Sequence, residues 1–445
     1  MSETIERPAF REALQFWFKL GWISFGGTAG HIALMHDFLV DKKKWISNSR
    51  FFHALSLCML LPGPEAQQLA IYIGWQLHGK KGGLIAGTLF VLPSMFILLG
   101  LSIVYVSYGN LPWIYALFNG LKPAVIAIII VALFKVGRKS LHHLLHYGVA
   151  AAAFVGIFFF NISLLTILIG TIVLAIAIRY ISPGRLQGEK EKQGAAGENE
   201  EDYYINSLPI NIAPESVVGD RGFRIRGLVR QLGIALFFWL IPFVLLYFLS
   251  PDFGFWRRLI LFFTQTAFFT IGGSYTVLPY VAQFAIDRFG WLSRMQMLDG
   301  FALAETTPGP LIIVVGFVGF MAAFNHFPGS LLMGAIALVV TTFYTFLPCF
   351  LFIFVGGPLI ERSHGNEMIG GILSLVTAAI VGVILNLTLF LGRGVFFPGR
   401  VSLSGLDYAA VVWVIVAVFL LVKVRLNVVY LILLSLLFGL IRYKY

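Results

Sequence analysis

The sequence carries a repeated pattern of proline and glycine that could bind an anion within an apolar environment. Pro62-Gly63-Pro64 interrupts one apolar segment, and Pro308-Gly309-Pro310 interrupts another one 246 positions later. Proline lacks a backbone donor and glycine lacks side-chain restraint, so a helix breaks or kinks sharply at such a triplet. A helix that starts again after the break presents unpaired N–H groups and the positive end of its dipole. Both favour a bound anion.

Two Gly-Gly pairs and several small polar residues accompany these triplets. Hydroxyl and amide side chains beside a helix start are suited to oxyanion oxygens, whereas the alternative interpretation of each break is an ordinary packing kink. Four breaks at matched spacing favour a binding site over four unrelated kinks. The candidate substrate-binding residues at the breaks are Gly26, Gly27, Thr28, His31, Pro62, Gly63, Pro64, Gln67, Gly272, Gly273, Ser274, Thr307, Pro308, Gly309 and Pro310.

Charged residues inside apolar runs are the next candidates, because charge is costly in a membrane and commonly functional there. Lys122, and less so Lys19, could neutralise a bound anion, although either could instead extend to the lipid headgroups. Glu65 and Glu305 flank the two triplets and are candidates for a proton-coupling carboxylate. Helix capping or exposure at the membrane interface is the alternative for both acids.

Motifs of catalysis and of cofactor binding are missing from the sequence. It has no H-E-x-x-H, C-x-x-C or G-x-x-x-x-G-K-[ST] pattern, and its two cysteines, Cys58 and Cys349, lie in separate apolar segments. We therefore expect no catalytic residues, no metal site and no cofactor, and we expect the protein not to be an enzyme.

Composition places these residues in a membrane protein. Of the 445 residues, 58% are hydrophobic and only 12% are charged, about half the charged fraction of a soluble globular chain. The long apolar runs predict helices rather than barrel strands. Most of the basic residues behind the net charge of +11 lie between apolar runs. There they act as topology signals and contacts to anionic lipid, not as a nucleic-acid surface.

The chain consists of two homologous halves. Residues 24–64 align with 270–310 without a gap and with 10 identical residues in 41 positions. A duplication on this scale is typical of transporters. We predict a first repeat at 1–180, a cytoplasmic linker with a joining transmembrane helix at 181–250, and a second repeat at 251–445.

About 13 membrane segments are expected in this all-α polytopic fold. Nine are ordinary spans, and four are broken near their middle by Gly-Gly or Pro-Gly-Pro, so they are either re-entrant hairpins or kinked spans. The broken segments are 10–40, 51–78, 256–286 and 297–325, and the ordinary spans are 83–108, 112–136, 146–160, 162–180, 228–250, 330–356, 367–391, 407–422 and 426–441.

Charge in the connections suggests how the segments are threaded. The basic connections 41–50 and 79–81 both favour the cytoplasm, and they share a side only if 51–78 returns on itself. With one joining span between two halves of even crossing number, the halves become inverted repeats. The second half follows the charge rule poorly, because Arg393 and Arg442 would then face outward.

With these motifs, the sequence resembles the chromate ion transporter family in its long form with two homologous domains. The resemblance rests on Phe25-Gly26-Gly27 with His31, on Leu61-Pro62-Gly63-Pro64 with Gln67, and on the repeated Gly-Gly and Pro-Gly-Pro. It covers nearly the whole chain except the linker. Val277 replaces His31 and Leu311 replaces Glu65 in the second half, so the halves are not chemically equivalent.

The resemblance implies a plasma-membrane secondary transporter that exports chromate and confers chromate resistance. The expected partners are chromate or a similar oxyanion, membrane lipid and, for a coupled mechanism, protons; a homodimer is compatible with the sequence, and no nucleic acid is expected. One alternative is a transporter or passive channel for sulfate or another anion. Another is a membrane-embedded enzyme or scaffold, which would need a clustered nucleophile or metal site.

Overall fold

The protein is almost entirely helical in the parts that the structure, a computed structural model, describes. These parts are residues 8–25, 27–109, 111–160, 162–181, 204–207, 225–250, 252–270, 274–357, 367–397 and 405–444, and no strand occurs in them. The predicted all-α class is therefore confirmed. Most of the linker, as well as Gly26, Gly272 and Gly273, lies outside the described residues.

The described residues of the first half form seven helices, and its two predicted breaks are visible as turns between them. Residues 24–25 separate α1 from α2, and residues 61–64 separate α3 from α4, which has non-helical backbone at His78 and Gly79. The helices are α1 (Phe10–Ile23), α2 (Gly27–His36, extended by a π-turn Asp37–Lys42), α3 (Asn48–Leu60), α4 (Glu65–Tyr108), α5 (Pro112–Ser140), α6 (Leu144–Phe160) and α7 (Leu164–Ile181).

The second half repeats this order after a short linker helix and a joining helix. The same serine cap starts α3 and α12: Ser47 accepts from Arg50 N and Ser293 accepts from Gln296 N. The helices are α8 (Tyr204–Ser207), α9 (Ile225–Leu249), α10 (Phe253–Phe269), α11 (Ser274–Gln283, then π-turn Phe284–Arg288), α12 (Arg294–Glu305), α13 (Val314–His326), α14 (Leu331–Leu351, then π-turn Phe352–Gly356), α15 (Glu367–Phe396), α16 (Tyr408–Phe419, then π-turn Leu420–Val424) and α17 (Val428–Lys444).

Five of these helices are long and apolar enough to cross a membrane. Others, such as Leu144–Phe160 and Tyr408–Val424, are shorter but equally apolar. Together with the composition, they make the chain a multi-pass membrane protein. The five long spans are Glu65–Tyr108, Pro112–Arg138, Gly227–Leu249, Leu331–Gly356 and Ser374–Phe396.

Both broken segments of the first half are hairpins whose two ends meet on one side. At the ends of the α1–α2 hairpin, Lys43 forms a salt bridge with Glu12. At the end of the α3–α4 hairpin, His78 Nε2 donates to the Pro8 carbonyl at 2.9 Å. Helices of 13 or 14 residues are about 20 Å long and cannot cross a hydrocarbon core of about 30 Å. The re-entrant form is therefore the one observed, and we call this side the first-half face.

The broken segments of the second half form the same two hairpins. Asp252, just before α10, lies 2.8 Å from His326 at the end of α13, and Asn325 donates to the Trp291 carbonyl in the turn between the hairpins. The packing is repeated as well: Phe262 stacks on Phe284 in the way that Phe16 stacks on Phe38, both 246 positions earlier. We call the side where these ends meet the second-half face.

Helix α9 shows that the two faces lie on opposite sides of the membrane. Near its start, the Gln231 amide is placed to accept from Lys80 Nζ at 3.1 Å, on the first-half face. Near its end, Tyr247 packs on Phe253 at 5.0 Å, on the second-half face. Its 25 residues span about 37 Å, and almost none of its apolar stretch is buried within the protein. The two halves are thus inverted repeats joined by one lipid-facing span.

The remaining helices exchange partners between the halves. Helix α5 of the first half packs against α15, α16 and α17, and α15 of the second half packs against α6 and α7. One close approach is at Gly120 in α5, where an added Cβ would lie 2.2 Å from the Ser435 carbonyl in α17. A small residue at this crossing allows the two backbones to touch.

Candidate functional site

The four hairpin tips meet across the boundary between the halves. The N–H of Gly63 donates to the Thr270 carbonyl at 2.6 Å, and the N–H of Gly309 donates to the Ser24 carbonyl at 2.7 Å. Both members of the second bond lie 246 positions from their counterparts in the first. Each Pro-Gly-Pro turn is therefore tied to the broken helix end of the opposite half, and we call this arrangement the crossed tips.

A second contact at each glycine also crosses between the halves. A Cβ on Gly63 would lie 3.0 Å from Cys349 Sγ, and one on Gly309 would lie 2.8 Å from Ser94 Oγ. Both glycines have positive φ, +128° and +94°, which other residues rarely adopt. Glycine is thus required twice over at each tip, by backbone conformation and by close packing.

These bonds bear on how an anion could be held at the tips. The amides of Gly63 and Gly309 are already bonded to carbonyl oxygens, so a ligand there needs other donors or must displace those bonds. Several polar side chains lie close by and are fully buried. They are His31, Gln67, Gln68, Ser94, Thr270 and Thr307.

His31 is bonded directly into one crossing. Its Nε2 lies 2.8 Å from the Ser24 carbonyl that also accepts from Gly309. A carbonyl only accepts, so Nε2 must carry a proton, and the buried Nδ1 is left without a partner among the described residues. Nδ1 is an acceptor in the neutral ring and a donor in the charged one. His31 can therefore donate to an anion only as the imidazolium.

Glutamine amides fill the space behind the first Pro-Gly-Pro turn. Gln67 Nε2 donates to the Gly87 carbonyl at 3.3 Å, and Gln68 Nε2 donates to the Pro62 carbonyl. The Oε1 atoms of both residues are buried without a partner in the described part of the chain. In the second half the hydroxyl of Thr307 donates to the Ala304 carbonyl at 2.8 Å.

The two predicted coupling acids both adjoin a Pro-Gly-Pro turn. Glu65 begins α4 directly after Pro64, and Glu305 ends α12 just before the second turn; each is half-buried. Within the described ranges, no hydrogen bond or ion pair involves the Glu305 carboxylate. Gly27 begins α2 with φ +71°, whereas the side chain of Ser274, the first residue of α11, lies outside what the structure describes.

Lys122 lies apart from the crossed tips, nearer the second-half face. Its Nζ donates to Asn119 Oδ1 at 2.8 Å and lies 3.5 Å from Asp299 Oδ1 in α12. The hydroxyl of Tyr105 donates to the other carboxylate oxygen, Oδ2, at 2.9 Å. Asp299 is seven positions before Thr306, the C-cap of α12, so this cluster is about 10 Å from the end of the helix at the tip.

This cluster, Lys122–Asp299–Tyr105, forms part of the wall of a cavity of about 790 Å³. The side chains of Lys122 and Asp299 are only 9% and 7% exposed, so both charges are nearly removed from solvent. Other lining residues, including Gln296 and Asn325, belong to the second-half face. Near it, Arg442 Nη1 pairs with Asp407 Oδ2 at 2.7 Å. The cavity therefore lies towards the second-half face, with the Lys122–Asp299–Tyr105 cluster in its wall.

Asp299 was not among the residues that sequence reasoning selected. Its counterpart in the first half is His53, so the repeat did not point to it. The available signal was an acid inside the apolar run Met297-Leu298-Asp299-Gly300-Phe301, which is the criterion that selected Lys122. Lys19 is exposed on α1, consistent with the headgroup interpretation. The described residues contain no group of histidine, cysteine and acidic side chains that could hold a metal.

Comparison with known proteins agrees with this architecture. The family model described as Chromate transporter matches residues 11–177 and 257–440, one region in each half. The probable chromate transport protein of Synechococcus elongatus is 29% identical over 87% of this chain and 86% of its own length. The chromate transport proteins of Pseudomonas aeruginosa (28%; 88% and 83%) and Cupriavidus metallidurans (26%; 86% and 82%) are also similar.

No solved structure matches the chain. The family match extends over most of the sequence and includes both pairs of re-entrant hairpins. The chain therefore belongs to the chromate transporter family.

Proposed function

We propose that the protein is a secondary transporter that carries chromate outward across the plasma membrane and so confers chromate resistance. The observation that carries the proposal is the crossed tips, where four broken helices from inverted halves meet within the membrane. Broken backbone at that depth is tolerated where it is enclosed by protein or lines a path for a polar substrate. The relatives named as chromate transport proteins support chromate as that substrate.

The two repeats, 1–180 and 251–445, would move against each other about the crossed tips. In this proposal the cavity on the second-half face would extend to the centre in one state, and the pseudo-two-fold relation between the halves would provide an equivalent opening to the other side in the alternate state. The basic connections support a cytoplasmic location of the first-half face. In this proposal the substrate passes between the tips, near His31, Gln67 and Thr307, and meets Lys122 on the outward path.

Membrane potential alone could drive export of a dianion. With a negative interior, moving a charge of −2 outward is favoured by about 4.6 kcal/mol per 100 mV, twice the value for a single charge. Proton coupling through Glu65 or Glu305 would add to or modify this force. The variants Glu305→Gln and Glu65→Gln identify the coupling residue, because only the replacement of that residue should abolish the response of chromate flux to an imposed proton gradient.

Flux of labelled chromate into liposomes containing the purified protein tests the proposal. We expect chromate to accumulate in the liposomes when their interior is positive, because the potential then draws the anion inward through protein molecules of either orientation. Sulfate, molybdate and phosphate as competitors decide between chromate and another oxyanion. Flux no greater than that of protein-free liposomes would refute transport, and equal flux of all these anions would favour a passive channel.

A further inference from the structure

The Lys122–Asp299 pair has the properties of an anion site that is occupied by a carboxylate of the protein itself. Lys122 comes from the first half and Asp299 from the second, and they face each other in the wall of the 790 Å³ cavity. Their contact of 3.5 Å is loose, because charge-assisted hydrogen bonds usually measure about 2.7–2.9 Å. The hydrogen bond from Lys122 to the neutral amide oxygen of Asn119, at 2.8 Å, is the shorter of the two.

We propose that an oxyanion entering this cavity binds Lys122 in place of Asp299, and that Asp299 takes up one proton as it is displaced. The inference rests on the proposed anion transport and names a binding step within it. The step is balanced: the anion and one proton come from the aqueous solution, the proton forms an O–H bond on the Asp299 carboxylate, and no bond between heavy atoms changes. The net charge of the site changes by the charge of the anion plus the single positive charge of the proton.

Hydrogen-bond geometry explains why Asp299 is the group that yields. Its Oδ1 has no hydrogen-bond partner among the described residues, and its Oδ2 is held only by the Tyr105 hydroxyl. Asp407, the other acid of the cavity, caps α16 by accepting from Ala410 N at 3.0 Å and also pairs with Arg442. Displacing Asp407 would therefore break a helix cap as well as an ion pair, whereas displacing Asp299 breaks neither a cap nor a close salt bridge.

Charge balance explains why a proton accompanies the anion. A dianion beside an ionised carboxylate is repelled at short range, and a nearly dry wall screens that repulsion poorly. Protonated Asp299 removes the repulsion and provides an O–H donor towards the anion. Binding of anion and proton at this site is then mutually strengthening, by the reciprocity of linked equilibria.

Other ionisable groups could contribute to a pH response here. Helix α4 provides Tyr105, and α5 provides Tyr115 beside Lys122. Asp407, just before α16, and Arg442 and Tyr443 of α17 are the remaining ionisable groups of the cavity wall, whereas the lining residues from α13 and α15 are not titratable. The titratable and charged residues around the pair are Tyr105, Tyr115, Asp407, Arg442 and Tyr443. Among the acids that the structure describes, Asp299 alone contacts Lys122.

Equilibrium binding of labelled chromate to the purified full-length protein at several pH values tests this inference. Wild-type affinity should fall as the pH rises from about 6 to 8, because the competing carboxylate becomes harder to protonate. Asp299→Asn should bind chromate about tenfold more tightly at the upper pH and lose most of the pH dependence, whereas Lys122→Gln should weaken binding about tenfold or more throughout. Asp252→Asn, which removes an exposed acid on the same face, is the matched control and should keep the wild-type profile.

If the ion pair only stabilised the fold, a folded variant without it would bind chromate with wild-type affinity. The double variant Lys122→Gln/Asp299→Asn leaves no unpaired buried charge, so it should fold even if a single variant does not. Our inference predicts that this folded double variant binds chromate as weakly as Lys122→Gln, and wild-type affinity in it would overturn the inference. An unchanged pH profile in Asp299→Asn would also overturn it. Failure of the wild type to transport chromate would instead refute the proposed function.

Discussion

Replacing Gly309 by alanine should destabilise the protein far more than the same change at a glycine outside the tips. Gly309 has φ +94°, and a Cβ there would lie 2.8 Å from Ser94 Oγ and 3.1 Å from Ser94 Cβ. Left-handed backbone costs a residue with a Cβ about 1–2 kcal/mol, and forced overlap in a packed interior costs about 1–3 kcal/mol. If the turn shifts to relieve the overlap, the bond to Ser24 is lost, at about 1 kcal/mol.

Gly329 provides the matched control. Its φ is +70°, also in the left-handed region, but no atom of the residues that the structure describes lies within 4 Å of its added Cβ. Gly329→Ala should therefore lower the free energy of unfolding only by the backbone cost of about 1–2 kcal/mol. Gly309→Ala should lower it by roughly twice to three times as much. Thermal unfolding of the two variants in detergent measures the difference.

The contact with Ser94 can be tested within the same experiment. Ser94→Gly in the Gly309→Ala background removes both atoms that overlap the new Cβ, so part of the lost stability should return. Equal melting temperatures for Gly309→Ala and Gly329→Ala, or no recovery in the double variant, would refute the close crossing of the tips.

Three further predictions concern the two faces. Cysteines at Lys43 and Lys80 should react with an impermeant reagent from the same side of sealed vesicles; labelling from opposite sides would refute the re-entrant hairpin. A hydrogen bond from His326 holds the pKa of Asp252 below its ordinary value. The stabilisation that this hydrogen bond gives the fold is therefore present above about pH 4 and is lost as the pH falls through the lowered pKa. The melting temperature of His326→Gln should therefore lie below that of the wild type at neutral pH and meet it in strong acid, whereas a constant difference would contradict this coupling. Ile205 is buried against the first-half face, where its N–H donates to the Trp45 carbonyl at 3.0 Å; Ile205→Asp should release residues 204–207 and increase proteolysis there, and unchanged cleavage would contradict this docking.

Much of the fold could be predicted from the sequence because the duplication fixes corresponding positions. The offset of 246 relates the Pro-Gly-Pro turns, the serine caps of α3 and α12 and the stacked Phe16–Phe38 and Phe262–Phe284 pairs. The basic connections at 41–50 and 79–81 favoured the re-entrant form, and the structure confirms it through the Glu12–Lys43 and Pro8–His78 contacts. Arg442 lies with the second-half face, as the inverted arrangement required in spite of the charge rule.

The crossing itself could not be predicted in the same way. Nothing local at Gly63 indicates that its amide bonds to Thr270 rather than to a ligand, since that contact depends on how the two halves dock. Asp299 was missed for a related reason: its significance comes from Lys122 and Tyr105, which are far away in sequence. Predictions from sequence spacing hold within each repeat, but they do not extend to the contacts between the two repeats.

Transport by a variant of one tip tests most directly whether the substrate crosses at the paired Pro-Gly-Pro turns. Replacing Pro62-Gly63-Pro64 by three alanines removes the turn, while replacing Pro328 and Gly329 by alanine changes a Pro-Gly turn on the second-half face, away from the tips. Flux of labelled chromate is measured per amount of inserted, folded protein. We predict that the tip variant falls to the level of protein-free liposomes and that the control retains most of its flux. A folded tip variant that transports chromate as the wild type does would contradict the proposed pathway.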